Sequence, residues 1–169
     1  MTQNKNKIFK IIITQEYKLK LSLIDQEEKE TVLQSDFTPL ISFDNNHISF
    51  QQENQNAIDF MTKWIENPEE YSCYTIHFHN KQFDLLPEVL FALIINEYKK
   101  KIEREFIIEN TIIEIPIDNS RILQRIKISL QAINLKGIEI TDEEEIPYEY
   151  SQQGEYLEEI IEKKEENDK

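Results

Sequence analysis

The stretch "IEIPIDNSRILQRIKISLQAINLKGIEI", residues Ile113–Ile140, decides the fold. It begins with a short apolar run that stops at Pro116, and it continues with apolar residues at the three- and four-residue spacing of a helix. The polar run 118–120 offers helix-capping side chains, and Gly137 is expected to be the left-handed residue that ends the helix. A second strand, "IEI", follows directly. The stretch therefore predicts a βαβ unit with two parallel strands.

The sequence before this unit predicts several strands and two helices. Residues Ile8–Ile13 form an almost unbroken apolar run, and Tyr17–Leu23 alternates between apolar and polar with a period of two. Pro87–Phe106 has the clearest helical pattern, since a proline is tolerated in the first turn and apolar residues recur every four positions. Shorter patterns predict strands at 38–43, 47–50 and 73–78 and a short helix at 56–65.

The resulting element order is β-β-β-β-α-β-α-β-α-β, which predicts an α/β fold with a mixed sheet. Early strands joined by short turns are expected to be antiparallel, and later strands separated by helices are expected to be parallel. The helices Pro87–Phe106 and Ser120–Asn134 are expected to flank this sheet, with Ile112, Ile113 and Ile115 at its centre.

The charge of the chain is acidic and unevenly distributed. It has 19 Lys and Arg against 33 Asp and Glu, a net charge of −14, of which residues 141–169 carry −9. Because phosphate contacts depend on clustered Lys and Arg, this balance disfavours nucleic acid as a partner. We interpret residues 148–169 as an acidic tail, either helical or disordered, and expect the part after Ser151 to be dispensable for folding. The tail is either a solubilising segment or a docking helix for a basic partner.

Composition also suggests where the protein works. The 169 residues fit one domain, and no apolar run approaches the roughly 20 residues that a membrane span needs. The polar start, Met1 to Lys7, has no signal-peptide core, and the single cysteine excludes an internal disulfide. We expect a soluble, cytoplasmic protein that does not associate with membranes.

The succession of these pieces resembles the N-terminal lobe of the ATPase domain in DnaK-type, seventy-kilodalton heat-shock chaperones. "TPLISFDNNHISF" is similar to an early segment of that family. Residues 87–140 are similar to its long helix, strand, "VP" corner and "QR" helix, with Ile115-Pro116 at the corner and Gln124-Arg125 as the pair. The resemblance runs from about Lys7 to Pro147. It implies a single ribonuclease-H-like/actin-like ATPase lobe over residues 1–147, degenerate and truncated.

The resemblance also implies that this chain lacks most of the family's catalytic residues. The family's first strand leads into Asp-Leu-Gly-Thr-Thr, whose acid organises the metal's waters and whose glycine lets backbone amides approach phosphates. The matching positions, 12–16, read Ile-Ile-Thr-Gln-Glu, and of the family's Asn-Glu-Pro only Pro147 remains. The family's phosphate-facing lysine matches Lys63, the one cofactor-binding candidate, although a surface helix lysine fits the sequence as well. The family's second lobe, with the adenosine half of the site, is expected to lie outside this chain.

Other kinds of site fit the sequence less well. A ribonuclease-H-like nuclease needs carboxylates on its first strand, and Ile8–Ile13 has none. His77 and His79 alternate along a predicted strand and could share a face, but two histidines without a nearby third ligand are expected to be half-exposed strand residues. Cys73 is expected to be a buried structural thiol, and Trp64 is expected in the core.

These observations predict a pseudo-ATPase, a non-catalytic chaperone-like lobe that serves as a protein interaction or regulatory module. Its partner would be a chaperone, a co-chaperone or a complex subunit, and no cofactor or metal is expected. Two alternatives stay open. One is a nucleotide-binding chaperone fragment that uses ATP and magnesium, and the other is an acidic adaptor subunit of a larger complex.

Overall fold

The computed structural model describes residues 5–67, 73–116, 120–138 and 148–167. Its helices are α1 (Met61–Glu66), α2 (Pro87–Glu103), α3 (Ser120–Ala132) and α4 (Tyr148–Asn167). Its strands are β1 (Asn6–Ile13), β2 (Leu19–Ile24), β3 (Glu30–Phe37), β4 (Leu40–Phe43), β5 (Ile48–Phe50), β6 (Ile58–Asp59), β7 (Tyr74–Phe78), β8 (Lys81–Leu85) and β9 (Ile107–Glu114).

The main sheet contains four described strands in the order β3-β2-β1-β9. β1 and β2 form an antiparallel hairpin in which Ile11 lies opposite Leu21, and β3 adds to β2 in the antiparallel sense. β9 runs parallel to β1, with Ile113 beside Ile11. The prediction of a mixed α/β fold is confirmed at this level, with the early antiparallel strands β1 to β3 and the later parallel strand β9 in one sheet. The strand predicted over 73–78 does not join this sheet as a parallel strand, because β7 pairs antiparallel with β8 in a separate sheet.

The inner face of the main sheet forms the core together with α2. The alternating apolar side chains of β1 and β2 are buried, and Phe9, Ile11 and Leu21 among them are each at 0% exposure. α2 is buried around its whole circumference from Pro87 to Asn96, because α3 and α4 pack on it from the outside. Helix α2 is therefore the central element of the fold.

Two small sheets lie beside the main one. β4 pairs with β5 and β6, and β7 forms a hairpin with β8. The turns of the two sheets are joined because the backbone amide of Asn80 donates to Asn45 Oδ1 at 2.7 Å and that of His79 donates to the Asn45 carbonyl at 2.6 Å. The helix predicted over 56–65 is wrong in its first half, since Ile58 pairs with Ile41 as a strand before α1 begins. Pairing with β4 overrides the local helical pattern there.

The sequence pattern does not predict two of the strands, β3 and β8. β3 is almost entirely exposed, so its sequence "ETVLQSDF" carries no alternation, and pairing with β2 is what makes it a strand. β8 is only five residues long and follows the left-handed pair His79 and Asn80, which forms the hairpin turn.

The first strand and the helix of the predicted βαβ unit are confirmed as β9 and α3, whereas its second strand is not among the described strands. In α3 the residues Ile122, Ile126 and Leu130 are fully buried, as the spacing predicts. The helix ends at Ala132, and the left-handed residue of its final turn is Asn134 (φ 62°) rather than Gly137.

Gly137 (φ 81°) has a different role from the one expected. A Cβ at this position would overlap the side chain of Asn110 on β9. The glycine therefore lets the chain pass close to the strand. The predicted second strand begins at Ile138, and residues 139–140 lie outside the described ones. Ile112 and Ile113 lie on β9, which is the last described strand of its sheet, and Ile115 follows that strand. The central position in the sheet that was expected for these three residues therefore stays a prediction.

The C-terminal segment corrects a second expectation. α4 is a 20-residue helix whose Leu157 and Ile160 belong to the core, at 3% and 0% exposure. Gln153 accepts a hydrogen bond from the Leu86 amide at 2.9 Å and donates one to the Asp84 carbonyl at 2.9 Å. The apolar stripe is thin, but it fits the surface of α2 and β8, so the idea of a tail that gains little by docking is wrong.

Candidate functional site

The turn between β1 and β2, residues 14–18 (the first turn), contains positions that the sequence resemblance matches to a phosphate loop. Thr14 closes it. The Thr14 hydroxyl oxygen accepts hydrogen bonds from the amides of Glu16 at 3.3 Å and Lys18 at 3.2 Å. The Thr14 carbonyl accepts from the Tyr17 amide at 3.0 Å, and the Thr14 amide donates to the Lys18 carbonyl at 2.8 Å. The turn is thus a closed hairpin connection.

This arrangement leaves few backbone amides of the turn available to bind a phosphate group. The amides of residues 14, 16, 17 and 18 already donate within the chain, so an anion would have to displace these bonds. Tyr17 takes the left-handed conformation (φ 61°) in a turn without glycine. Ile12 precedes the turn on β1, and Glu16 is exposed in it. The turn therefore presents a carboxylate to solvent and no anion-binding set of amides.

Lys63 lies on α1 with its side chain exposed. The helix is anchored by its neighbours Trp64 and Ile65, which are 4% and 1% exposed. No ion pair or hydrogen bond joins the Lys63 ammonium to the first turn or to any other described residue. The structure therefore does not bring the two family-matched positions together through a direct polar contact.

A buried polar cluster, Trp64, Glu88 and Arg125, lies where α1, α2 and α3 meet. The indole Nε1 of Trp64 donates to Glu88 Oε1 at 3.1 Å, and Arg125 Nε lies 4.0 Å from the same oxygen. Glu88 and Arg125 are 4% and 5% exposed. Because a buried carboxylate needs both a cation and hydrogen bonds, the cluster fixes how the three helices pack.

The sequence carried a signal for this cluster that its interpretation did not use. Arg125 lies three positions after Ile122 and one before Ile126, on the helical face assigned to the core. A charged residue on such a face requires a buried partner. Glu88, in the first turn of α2, suits the positive end of the helix dipole as well. The expectation that Trp64 is a core residue is confirmed.

The two histidines do not share one face of a strand. β7 ends at Phe78, so His79 lies in the left-handed turn and not on the strand with His77. Its ring packs edge-on against Phe78, with centroids 4.4 Å apart. Across the described ranges of the chain, no group of three or more His, Cys, Asp or Glu side chains is placed to hold a metal ion.

Cys73 is exposed, so the expectation of a buried thiol is wrong. Neighbouring atoms still desolvate its sulfur, which raises the pKa of the thiol, and the carboxylates of Asp84 and Glu88 raise that pKa further. Because the thiolate is the nucleophilic form, these surroundings make Cys73 a poor nucleophile. Residues 145–147, matched to the family's Asn-Glu-Pro, lie outside the described residues.

Comparison with protein-family models and with curated protein sequences found no match. In the part of the chain that the structure covers, no helix is both long enough and apolar enough to span a membrane.

Proposed function

We propose that this chain is a non-catalytic lobe of the ribonuclease-H-like/actin-like ATPase class that works in the cytoplasm as a protein interaction or regulatory module. The β3-β2-β1 antiparallel set followed by parallel β9 supports the class, because it is the arrangement that the resemblance to DnaK-type chaperones implies. The position of Arg125, from the family-like "QR" pair, in a buried ion pair with α2 adds support for the packing.

The closed first turn is the observation that carries the non-catalytic part of the proposal. Phosphate loops bind anions through backbone amides that point at the ligand and have no other partner. Here four amides of the turn donate within the chain. Opening the turn would sacrifice those hydrogen bonds, at roughly 1 kcal/mol each, before any contact with phosphate was gained.

The remaining candidate, Lys63, is too weak to compensate. An exposed lysine contact with a phosphate in water contributes at most about 1 kcal/mol. Micromolar binding requires about 8 kcal/mol. The exposed ammonium of Lys63 therefore supplies only a small part of the free energy that micromolar binding requires.

The partner that suits this lobe is a protein, such as a chaperone, a co-chaperone or a subunit of a complex. A net charge of −14 opposes nucleic acid as a ligand. The packed core makes the lobe a rigid scaffold, because α2 is enclosed by the sheet, α3 and α4. A rigid scaffold with a polar exterior is a common basis for protein recognition.

Titration calorimetry with magnesium-ATP tests the proposal. The purified chain is expected to give no saturable heat, and Lys63→Ala is expected to behave identically. Saturable binding in the low micromolar range that Lys63→Ala abolishes would overturn the proposal and favour the nucleotide-binding alternative. Glu66→Ala, an exposed substitution on the same helix, is the matched control for nonspecific effects on α1.

A further inference from the structure

The main sheet has a second face, opposite the one that forms the core with α2, and we call it the outer face. The pairing of the four strands brings alternate residues of each strand to this face. Its apolar side chains are Ile8, Ile12, Ile24, Val32 and Ile112. Val32 is 49% exposed and the four isoleucines are half-buried, and none of the five belongs to the core or packs against it. The fold of the described residues therefore leaves this apolar surface partly uncovered.

The charged side chains of the outer face balance each other. Lys10 Nζ lies 3.6 Å from Glu114 Oε1, and the hydroxyl of Ser22 donates a hydrogen bond to Glu30 Oε1 at 2.6 Å. That hydrogen bond is the main cause that holds the pKa of the Glu30 carboxyl below its ordinary value, and the charges of Lys20 and Lys10 lower it further. The two lysines and the two glutamates cancel, so the net charge of −14 is carried by other parts of the chain.

This balance of charge bears on which partner the outer face suits. A strongly basic or strongly acidic partner would be matched by a surplus of the opposite charge, and these four side chains provide none. Two copies of a chain with a net charge of −14 repel each other over most of their surfaces. Repulsion is weakest where the charges cancel, and burial of the half-buried isoleucines favours contact there. A second copy of this chain therefore fits the charge of the outer face.

The positions of the apolar residues are also self-complementary. Consider a two-fold axis that runs along the strand direction, midway between β1 and β2. It places Ile8 on β1 of one copy against Ile24 on β2 of the other, since these two residues lie side by side in the hairpin. It also places Ile112 on β9 against Val32 on β3, because both lie in one row of the sheet, one strand further out. The same patch thus matches itself across the axis.

We propose that this chain forms a two-fold symmetric dimer through the outer faces of its main sheets. The two sheets pack face to face, with their strand directions within about 30° of each other. Four strands about 4.8 Å apart and about 20 Å long give each copy a face of roughly 400 Å². Because that is the size of weak, transient interfaces, we expect a dissociation constant in the micromolar range or weaker. The inference goes beyond the proposed function, since neither the first turn nor Lys63 belongs to the outer face.

Sedimentation velocity of the full chain, from low micromolar to near-millimolar concentration, tests the proposal. The average mass is expected to rise with concentration from that of one chain toward that of two and no further, because a two-fold contact closes on itself. Added sodium chloride is expected to strengthen the dimer, since salt screens the repulsion between two acidic chains and the interface itself is apolar.

Matched variants then locate the interface. Val32→Glu puts a carboxylate against the Ile112 side chain of the other copy and is expected to weaken the dimer at least about tenfold, because that charge would lose water without gaining a partner. Gln82→Glu adds the same charge at an exposed strand position of the β7–β8 hairpin and should change the dissociation constant by less than about twofold. Thermal unfolding at low micromolar concentration should give both variants the midpoint of the unaltered chain, which separates a lost dimer from a lost fold.

A chain that stays monomeric up to near-millimolar concentration would overturn the proposal and leave the outer face to a different partner. A dimer that Val32→Glu leaves intact, or that both variants weaken equally, would place the contact elsewhere and also contradict it. Dissociation of the dimer by added salt would show that charge pairs rather than apolar contacts hold it together. These outcomes are independent of the magnesium-ATP titration, which reports on the first turn and Lys63.

Discussion

At the residue scale, the Trp64–Glu88–Arg125 cluster is the most sensitive point of the structure. We predict that Arg125→Met destabilises the protein by about 3–5 kcal/mol, because it removes the buried cation beside the buried Glu88 carboxylate. The single tryptophan lies within the cluster, so its fluorescence reports unfolding in urea directly.

The double variant Glu88→Leu/Arg125→Met is the control for this prediction. It removes both charges, so we expect it to be more stable than Arg125→Met alone. If the single and double variants lost equal stability, the ion pair would not be the reason for the burial of Arg125.

Asp25, which directly follows β2, contributes to how the stability of the protein changes at acid pH. The Asp25 carboxylate accepts hydrogen bonds at 2.9 Å from the backbone amides of Lys29 and Glu27. The amide of Lys29 is the largest influence that holds the pKa of Asp25 below its ordinary value of 3.8. A depressed folded-state pKa adds stability above the unfolded pKa, and that stability is lost as pH falls through the folded value.

Asp25→Asn tests this dependence, since the amide keeps the oxygen acceptor and cannot ionise. We predict that the unfolding midpoint of Asp25→Asn falls less steeply than that of the unaltered chain as pH drops below about 4. Parallel midpoint curves for the two proteins over that range would contradict the assignment. Asp44→Asn, which changes another exposed acidic turn residue with an amide bond, is a matched comparison.

Individual residues were predicted correctly from the sequence where apolar side chains recur at helical spacing and are therefore expected to be buried. The fully buried Ile122, Ile126 and Leu130 follow from spacing alone. Gly137 was assigned to the end of α3, yet Asn134 takes the left-handed position there. Asparagine also tolerates the left-handed conformation, so the sequence alone does not decide between Asn134 and Gly137. Gly137 instead lies close to Asn110, and only the folded chain contains this contact.

At the element scale, α4 is the segment whose contribution differs most from expectation. We predict that Ile160→Ala destabilises the protein by about 2–4 kcal/mol, because Ile160 is fully buried against the core. Ile107→Ala is the matched control, since Ile107 is 55% exposed, and it should cost less than about 1 kcal/mol.

Truncation after Tyr150 extends this test to the whole helix. We expect the thermal midpoint to fall by more than about 5 °C, because the loss of Leu157, Ile160 and the bonds of Gln153 exceeds 1 kcal/mol. An unchanged midpoint would show that α4 does not dock in solution.

Elements were predictable from the sequence in proportion to how much apolar surface each buries. α2, α3, β1 and β2 carry clear periodicity and were found in place. β3 is exposed along its length and β6 is two residues long, so both depend on pairing with a neighbouring strand. Docking of α4 was not predicted, because the apolar stripe of Tyr156, Leu157, Ile160 and Ile161 is narrow and residues 148–169 are highly charged. The structure shows that the surface of α2 and β8 accommodates this stripe.

At the scale of the whole molecule, the chain has a packed α/β core, and its first turn lacks the unpaired backbone amides that a phosphate site needs. The candidate site could be anticipated from the sequence in one respect: position 12 is not an acid, and positions 12–16 contain no glycine. The hydrogen bonds with which Thr14 closes the turn could not, because they depend on the hairpin geometry of β1 and β2.

The most direct test of the central claim is the backbone amide NMR spectrum of the chain, recorded while magnesium-ATP is added to millimolar concentration. We predict that the amide resonances of residues 14–18 do not move and that their hydrogen exchange remains slow relative to an open loop, since four of these amides already donate within the chain. Saturable shifts of the amides of Glu16, Tyr17 and Lys18, accompanied by shifts at Lys63, would show that the turn opens to bind phosphate and would contradict the account.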